Sequence, residues 1–178
     1  MSNFHVLEGA SRGVVKTVDG KTYQIDNIIS SSEQADLIKF KANTKGEATP
    51  FLTTKSTTPE KGEKVFVIGN PHGFESSVSE GIISSVRPSD EYGTVLQITA
   101  PISPGSSGSP VMTLDGKVIG VATFQFAKGQ NLNFAVGIGS TSYLKTATTT
   151  FVNSRPDMLV INERCPTNSQ LLLNSIES

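Results

Sequence analysis

Apolar positions along this 178-residue chain come in short runs rich in Val, Ile, Thr and Phe, separated by clusters of Gly, Pro, Asn and Asp. The runs recur roughly every ten residues, the spacing of strands in an antiparallel sandwich or barrel. The first predicted hairpin spans Val14 to Ile25, with Val14, Lys16, Val18, Thr22 and Gln24 alternating about an Asp19-Gly20 turn. Asp-Gly favours such turns because glycine enters the left-handed region without a Cβ clash. Further strands are predicted over Asp36–Lys41, Lys64–Gly69, Ser77–Val86, Val95–Thr99, Val111–Thr113, Lys117–Phe126 and Asn133–Val136, with a second turn at Asp115-Gly116. The chain reads as all-β, with about eight strands of ordinary length.

Between Ala42 and Gly62 the alternation is lost, and Thr53, Thr54, Ser56, Thr57, Thr58 and Pro59 make a polar connection. That predicts a boundary between two halves. Residues 1–55 then form a partial N-terminal β-barrel, 56–140 a C-terminal β-barrel, and 141–178 a helix and tail. Ser140 or Thr141 can cap a short helix running through Leu144 to near Phe151, stopped by the breaker from Asn153 to Pro156. From Arg155 to Ser178 the apolar groups Met158-Leu159-Val160-Ile161 and Leu171-Leu172-Leu173 lie among polar residues without a period and read as a linker toward a further domain.

Composition narrows the function classes. Hydrophobic residues make up 36% and charged residues 17%, which suits a packed globular chain rather than a disordered one. The formal net charge is −1, and Lys61 and Lys64 are diluted by Glu60 and Glu63, so no basic footprint for nucleic acid exists. The single cysteine, Cys165, excludes an internal disulfide framework and a cysteine-based zinc site. His5, His72 and Cys165 lack zinc-ligand spacing, and neither a metal nor a cofactor is expected. No apolar run is long enough to span a bilayer, and no charged-then-apolar leader is seen.

A serine hydroxyl becomes a useful nucleophile only when an imidazole takes its proton and nearby donors stabilise the oxyanion. Only two histidines are present, His5 and His72, and neither follows Ser107. The Ser…Asp…His order of α/β-hydrolases therefore cannot be made with that serine, and Gly105-Ser106-Ser107-Gly108-Ser109 lacks the second glycine of their nucleophile elbow. The order His5…Asp36…Ser107 is available, with Asp26 a rival acid. His72 is a rival base in the order Asp36…His72…Ser107, but that order needs an α/β fold, which the strand pattern does not support.

Four segments in sequence carry a family resemblance. Ser2-Asn3-Phe4-His5-Val6-Leu7-Glu8-Gly9-Ala10 resembles the catalytic-histidine segment of HtrA-like proteases, the disulfide-free branch of the chymotrypsin-like serine proteases. Asp36-Leu37-Ile38-Lys39-Phe40 is similar to the segment in which the family's triad aspartate begins a strand. Val67-Ile68-Gly69-Asn70-Pro71-His72-Gly73-Phe74, followed by Ser79-Glu80-Gly81-Ile82-Ile83-Ser84, resembles its Gly-Asn-Pro turn and the next strand. The most specific match is Ala100-Pro101-Ile102-Ser103-Pro104-Gly105-Ser106-Ser107-Gly108-Ser109-Pro110-Val111, continued by Leu114-Asp115-Gly116-Lys117-Val118-Ile119-Gly120-Val121.

The resemblance implies a chymotrypsin-like double barrel and a serine endopeptidase acting on polypeptides in a periplasmic or secreted setting. His5 is the implied general base, Asp36 its orienting acid and Ser107 the nucleophile, with backbone amides of Gly105, Ser107 and also Ser106 as the oxyanion hole. Pro101, Ile102, Ser103, Thr123, Phe124 and Gln125 are the implied substrate-binding residues, and the uncharged pocket predicts small or medium apolar side chains at the cleaved position. The strand from Val121 to Gln125 offers an edge for an extended peptide. Ser106 stands where zymogen-type relatives have an aspartate that pairs with a newly cut N-terminus, so activation by that route is not expected. Ser109 replaces a glycine common in relatives.

In chymotrypsin-like folds about two strands precede the catalytic histidine, yet here it is the fifth residue. The first barrel is therefore expected to be incomplete, its open edge pairing with another chain in a homo-oligomer or with the segment Met158 to Ile161. The competing function is a catalytically impaired, protease-like module that binds peptides or partners.

Overall fold

The computed structural model describes residues 1–69, 77–125, 132–150, 158–164 and 172–176. A one-turn helix α1 (Phe4–Leu7) precedes β1 (Arg12–Lys16), β2 (Thr22–Ser32) and β3 (Leu37–Ala42). Then come β4 (Lys64–Gly69), β5 (Ser77–Ser89), β6 (Gly93–Ile98), β7 (Pro110–Thr113), β8 (Val118–Gln125) and β9 (Asn133–Gly137). A 3-10 helix (Ile138–Tyr143) leads to β10 (Lys145–Thr150), β11 (Met158–Arg164) and β12 (Leu172–Ile176).

Strands β4 to β9 close on themselves in the order β4-β5-β6-β9-β8-β7. Alternation along β4 explains why: Val65, Val67 and Gly69 are buried while Lys64 is exposed. Val65, Ile83, Leu96, Ile98 and Val111, all fully buried, form the interior. Each such side chain contributes about 1.5–3 kcal/mol relative to an exposed one. Strands β7 and β9 are buried on both faces, because a second apolar layer covers the outside of the barrel. There Met112 packs with Val118 and Ile138, and Leu37, which opens β3, packs with Val121 and Val136.

The other half is an open sheet. Its order is β10-β2-β1-β11-β12, with β3 also on β2. Leu7, Val15, Tyr23, Ile25 and Ile38 are its core, with Phe4, Ile28 and Phe40 packed against them. The segment of residues 158–164 pairs in parallel with β1, from Arg12↔Met158 to Lys16↔Asn162, so the chain's own tail covers the edge that was expected to be open.

Three expectations change. The helix expected through Leu144 to Phe151 is replaced by the short 3-10 helix and by β10, which pairs with β2 from Lys145↔Ser31 to Thr150↔Asn27. Thr146, Thr148, Thr149 and Thr150 explain the change, since β-branched side chains fit a pleated surface better than a helix. The stretch read as a linker supplies β11 and β12. In the first hairpin Val18 belongs to the turn and is exposed, and the buried face is Val15, Tyr23 and Ile25. Among the described residues no helix is long and apolar enough to cross a membrane.

Candidate active site

Asp36 ends the turn between β2 and β3, its amide donating to Glu33 O at 3.0 Å. Its φ is 50, the left-handed region, whereas the matching positions of two other i→i+3 turns are Gly20 and Gly116. A side chain there costs about 1 kcal/mol, least for Asn and Asp. Four contacts hold this strained residue. Its carbonyl accepts from Asn3 Nδ2 at 3.0 Å, its Oδ1 from the His5 amide at 3.0 Å, its Oδ2 from Thr123 Oγ1 at 2.5 Å, and His5 Nδ1 lies 2.9 Å from both oxygens. Packing explains the meeting with Thr123. Leu37 packs with Val121 on β8, and Thr123, two residues on, faces the same side of the strand beside Asp36.

His5 sits on α1 with its side chain 47% exposed, against 14% for Asp36. The hydrogen bond from Asp36 raises the imidazole above its ordinary value, helped by the Asp36 and Glu8 charges and opposed by partial burial. For Asp36 burial alone pushes upward, but the bonds from His5, Thr123 and the His5 amide outweigh it and leave the carboxyl below its ordinary value. A neutral imidazole that donates from Nδ1 to Asp36 leaves Nε2 as the proton acceptor, a tautomer assigned from the hydrogen-bond partner.

Ser107 is carried by two consecutive turns. Ser103-Pro104-Gly105-Ser106 closes with Ser106 N donating to Ser103 O at 2.8 Å, and Ser106-Ser107-Gly108-Ser109 with Ser109 N donating to Ser106 O at 3.0 Å. Gly105 and Gly108 occupy the third positions with φ 91 and 86, which makes both turns type II, a form that requires positive φ there. Proline before Gly105 presets the first. Ser107 Oγ donates to Thr123 O at 3.2 Å, so one residue of β8 contacts both the serine and, through its hydroxyl, Asp36.

The Ser106 amide, one of the expected oxyanion donors, donates to Ser103 O within its turn. The Ser106 hydroxyl accepts from Ser103 N at 3.3 Å, a local bond in place of a zymogen-type ion pair. Of the expected substrate residues, Pro101 is exposed, Ile102 is buried in the barrel core and Ser103 is half-buried. Thr123 is buried, its hydroxyl donating to Asp36, and it lines the cleft beside His5. Phe124 and Gln125 lie on β8, which β9 follows to Gln125 while β7 stops at Val121. A cleft of about 440 Å³ beside His5 is lined by Phe4, Glu8, Glu33, Asp36, Tyr92 and Thr123. His72 lies outside the described residues, as do Cys165 and the turn at 70–74.

Sequence reasoning gave Asn3 no role and named Thr123 only for substrate binding. Asn3 contacts both Asp36 and Gly108, and Thr123 contacts both Asp36 and Ser107. The sequence offered for Asn3 only its place two residues before His5, and nothing local marked Thr123 as a partner of a carboxylate 87 residues away.

A family model described as "Trypsin-like peptidase domain" matches residues 1–121. A protein of Halomonas elongata named "Probable periplasmic serine endoprotease DegP-like" is 34% identical over 145 residues, covering 78% of this chain and 30% of that protein. "Serine protease HTRA1" of Xenopus tropicalis is 34% identical over 143 residues, covering 76% and 30%. The structure described as "HtrA-type protease AlgW with decapeptide" superposes with a TM-score of 0.68 at 30% identity, over 77% of this chain and 44% of that one. The chain thus spans about a third of the length of these curated relatives. One closed barrel beside a second sheet, with almost no helix, is the chymotrypsin-like architecture of these neighbours, as the resemblance implied.

Proposed function

The chain belongs to the trypsin-like peptidase domain family, and on that premise we propose that it hydrolyses peptide bonds as a serine endopeptidase through an acyl-enzyme on Ser107. The observation that carries this reading is His5 Nδ1 at 2.9 Å from both oxygens of Asp36, with Thr123 joining that carboxylate to the Ser107 hydroxyl. In the reaction His5 Nε2 takes the Ser107 proton as Oγ attacks the scissile carbonyl, then returns it to the leaving amine. Asp36 holds the imidazole and stabilises the imidazolium. The oxyanion is met by the amides of Gly105 and Ser107, where the type II turn aims the Gly105 N–H opposite to the sense a type I turn would give it.

Pro101, Ile102 and Ser103 offer no charge to the cleaved residue, which supports a preference for small or medium apolar side chains there. The edge of β8 beyond Val121 suits pairing with an extended peptide, in keeping with a decapeptide in the name of one structural neighbour. A periplasmic setting is supported by the names of relatives. The test is labelling with a fluorophosphonate alongside hydrolysis of an unfolded protein substrate. Wild type is expected to label and cleave, and Ser107→Ala to do neither; a fully folded wild type that does not label at Ser107 overturns the reading in favour of a peptide-binding module.

A further inference from the structure

Asn3 is fully buried, yet none of its atoms takes part in the proton transfers above. Its carboxamide lies between the two elements that carry the chemistry. Nδ2 donates to Asp36 O at 3.0 Å, and Oδ1 accepts from Gly108 N at 2.6 Å. The Gly108 amide also reaches Ala122 O at 3.0 Å, so its bond is three-centred, with the shorter arm to Asn3.

The two partners decide the orientation of the amide: a carbonyl needs the NH2 and an N–H needs the oxygen, and the flipped group would satisfy neither. Asn supplies a donor and an acceptor on one rigid, short side chain; an ionised Asp supplies acceptors only, and Ala nothing. The flanking backbone keeps the group in place. Ser2 exchanges both hydrogen bonds with Ile38 at 2.9 Å, and a Cβ on Gly108 would overlap the Ser2 hydroxyl, so the chain at Ser2-Asn3 is wedged between β3 and the turn of Ser107.

We propose that Asn3 is a positioning residue that ties Asp36 to the Ser107 turn and so sets the distance from the His5–Asp36 pair to the nucleophile; this rests on the serine endopeptidase reading above. His5 and Asp36 hold each other, with Thr123 of the barrel donating to Asp36, and Ser107 is held by barrel turns. Among the described residues Thr123 and Asn3 link one group to the other by hydrogen bonds, and Asn3 does so from the side of the turn glycine. A displacement of about 1 Å between reacting groups lowers a rate up to roughly 100-fold.

The experiment measures fluorophosphonate labelling of wild type, Asn3→Ala and Asn3→Asp, separating the labelled fraction from the rate constant per labelled site, with kcat and KM for a peptide measured in parallel. Asn3→Ala is expected to lower the rate constant per site and kcat about 10- to 100-fold with KM within about threefold. Asn3→Asp retains the shape and the acceptor for Gly108. Its rate relative to wild type is expected to rise as pH falls, because a protonated carboxyl at this position regains a donor toward Asp36 O. A smaller labelled fraction with an unchanged rate per site means a structural role only and overturns the proposal, as does a pH-independent ratio for Asn3→Asp. Should Asn3→Ala fail to fold, the pH dependence of Asn3→Asp decides the matter. Wild-type labelling that is lost in Ser107→Ala sustains the functional reading whatever the Asn3 variants do; its absence removes both.

Discussion

Thr17-Val18-Asp19-Gly20-Lys21 in the open sheet and Thr113-Leu114-Asp115-Gly116-Lys117 in the barrel are the same turn used twice. In each, the glycine amide donates to the first threonine's carbonyl at 2.9 Å, the threonine amide donates to the lysine carbonyl at 2.9 Å, and glycine is left-handed with φ 82 or 78. The threonine hydroxyl donates to the aspartate in both, lowering Asp19 and, with Lys117, holding Asp115 down at about 2. Their surroundings differ. Thr113 is buried at the rim of a barrel whose six strands satisfy one another, whereas Thr17 is half-buried in a sheet whose β1 edge is covered by residues 158–164. The same local code thus serves a self-sufficient unit and a dependent one. The proposed chemistry is divided between them: Ser107 stands on the barrel, His5 and Asp36 on the sheet. Rate should therefore depend on how the sheet is held against the barrel, and stability mainly on the barrel.

Asp36→Asn probes the sheet side with the largest effect. The turn remains, but the imidazole loses its carboxylate and its tautomer, and kcat is expected to fall about 10⁴-fold. Its pH profile gives a second check. Because His5 is raised and must be neutral to act, the acidic limb of wild-type kcat/KM is expected above 6.5, and in Asp36→Asn the limb moves down. The linkage to stability has both signs. The raised His5 stabilises the fold fully below its unfolded pKa and loses this as pH rises through its folded pKa; the lowered Asp36 stabilises above its unfolded pKa and loses this as pH falls through its folded pKa. The pair therefore contributes fully between the two unfolded values and progressively less on either side, and Asp36→Asn should flatten the pH dependence of the denaturation midpoint.

Leu37→Ala and Ile83→Ala set the two regions directly against each other. Both side chains are fully buried, and each substitution is expected to cost about 2–5 kcal/mol in urea unfolding. Leu37 seats Asp36 beside Thr123, so the first variant should also lose about tenfold or more in kcat per folded molecule, while the second keeps its rate. Equal kcat per folded molecule in both would show that the sheet does not register the site. A smaller effect is expected from ending the chain after Thr150, which removes β11 and β12. Hydrogen exchange should speed up at Val14 to Lys16 while β4 to β9 stay protected. The smallest contrast is Thr113→Val against Thr17→Val. Each removes one turn hydroxyl at about 1 kcal/mol, with the buried Thr113 at the upper end because its partners lose more when left unmet.

Much of the barrel was legible because alternation is a local signal: Lys64–Gly69 is a strand as the pattern predicts, and Asn133–Gly137 exceeds the predicted strand by one residue. The tail was legible only in part: an open edge made Met158 to Ile161 one expected partner, and nothing in the sequence chose it over another chain. Met158 to Arg164 has no period of its own, and its strand exists through pairing with β1, a partner more than 140 residues away. The threonines from 146 to 150 did carry a strand signal, outweighed in the reading by a capping serine. The site divided in the same way. The residue types around Ser107 announced two glycine turns, and the order His5…Asp36…Ser107 left few candidates, yet the bond from the Ser106 amide to Ser103 O was seen only in the structure.

By itself the sequence determined the strand period, the two Asp-Gly hairpins, the absence of an internal disulfide and the three residues proposed for catalysis. Tertiary structure alone decided that Thr123 and Asn3 join Asp36 to the Ser107 turn, and that residues 158–164, one of the two partners expected for the open edge, pair with β1. The physical reason is range. Turn chemistry and alternation act within a few residues, whereas these contacts span from 16 to 146 positions, and Leu37 packed with Val121 and Val136 holds β3 against the barrel.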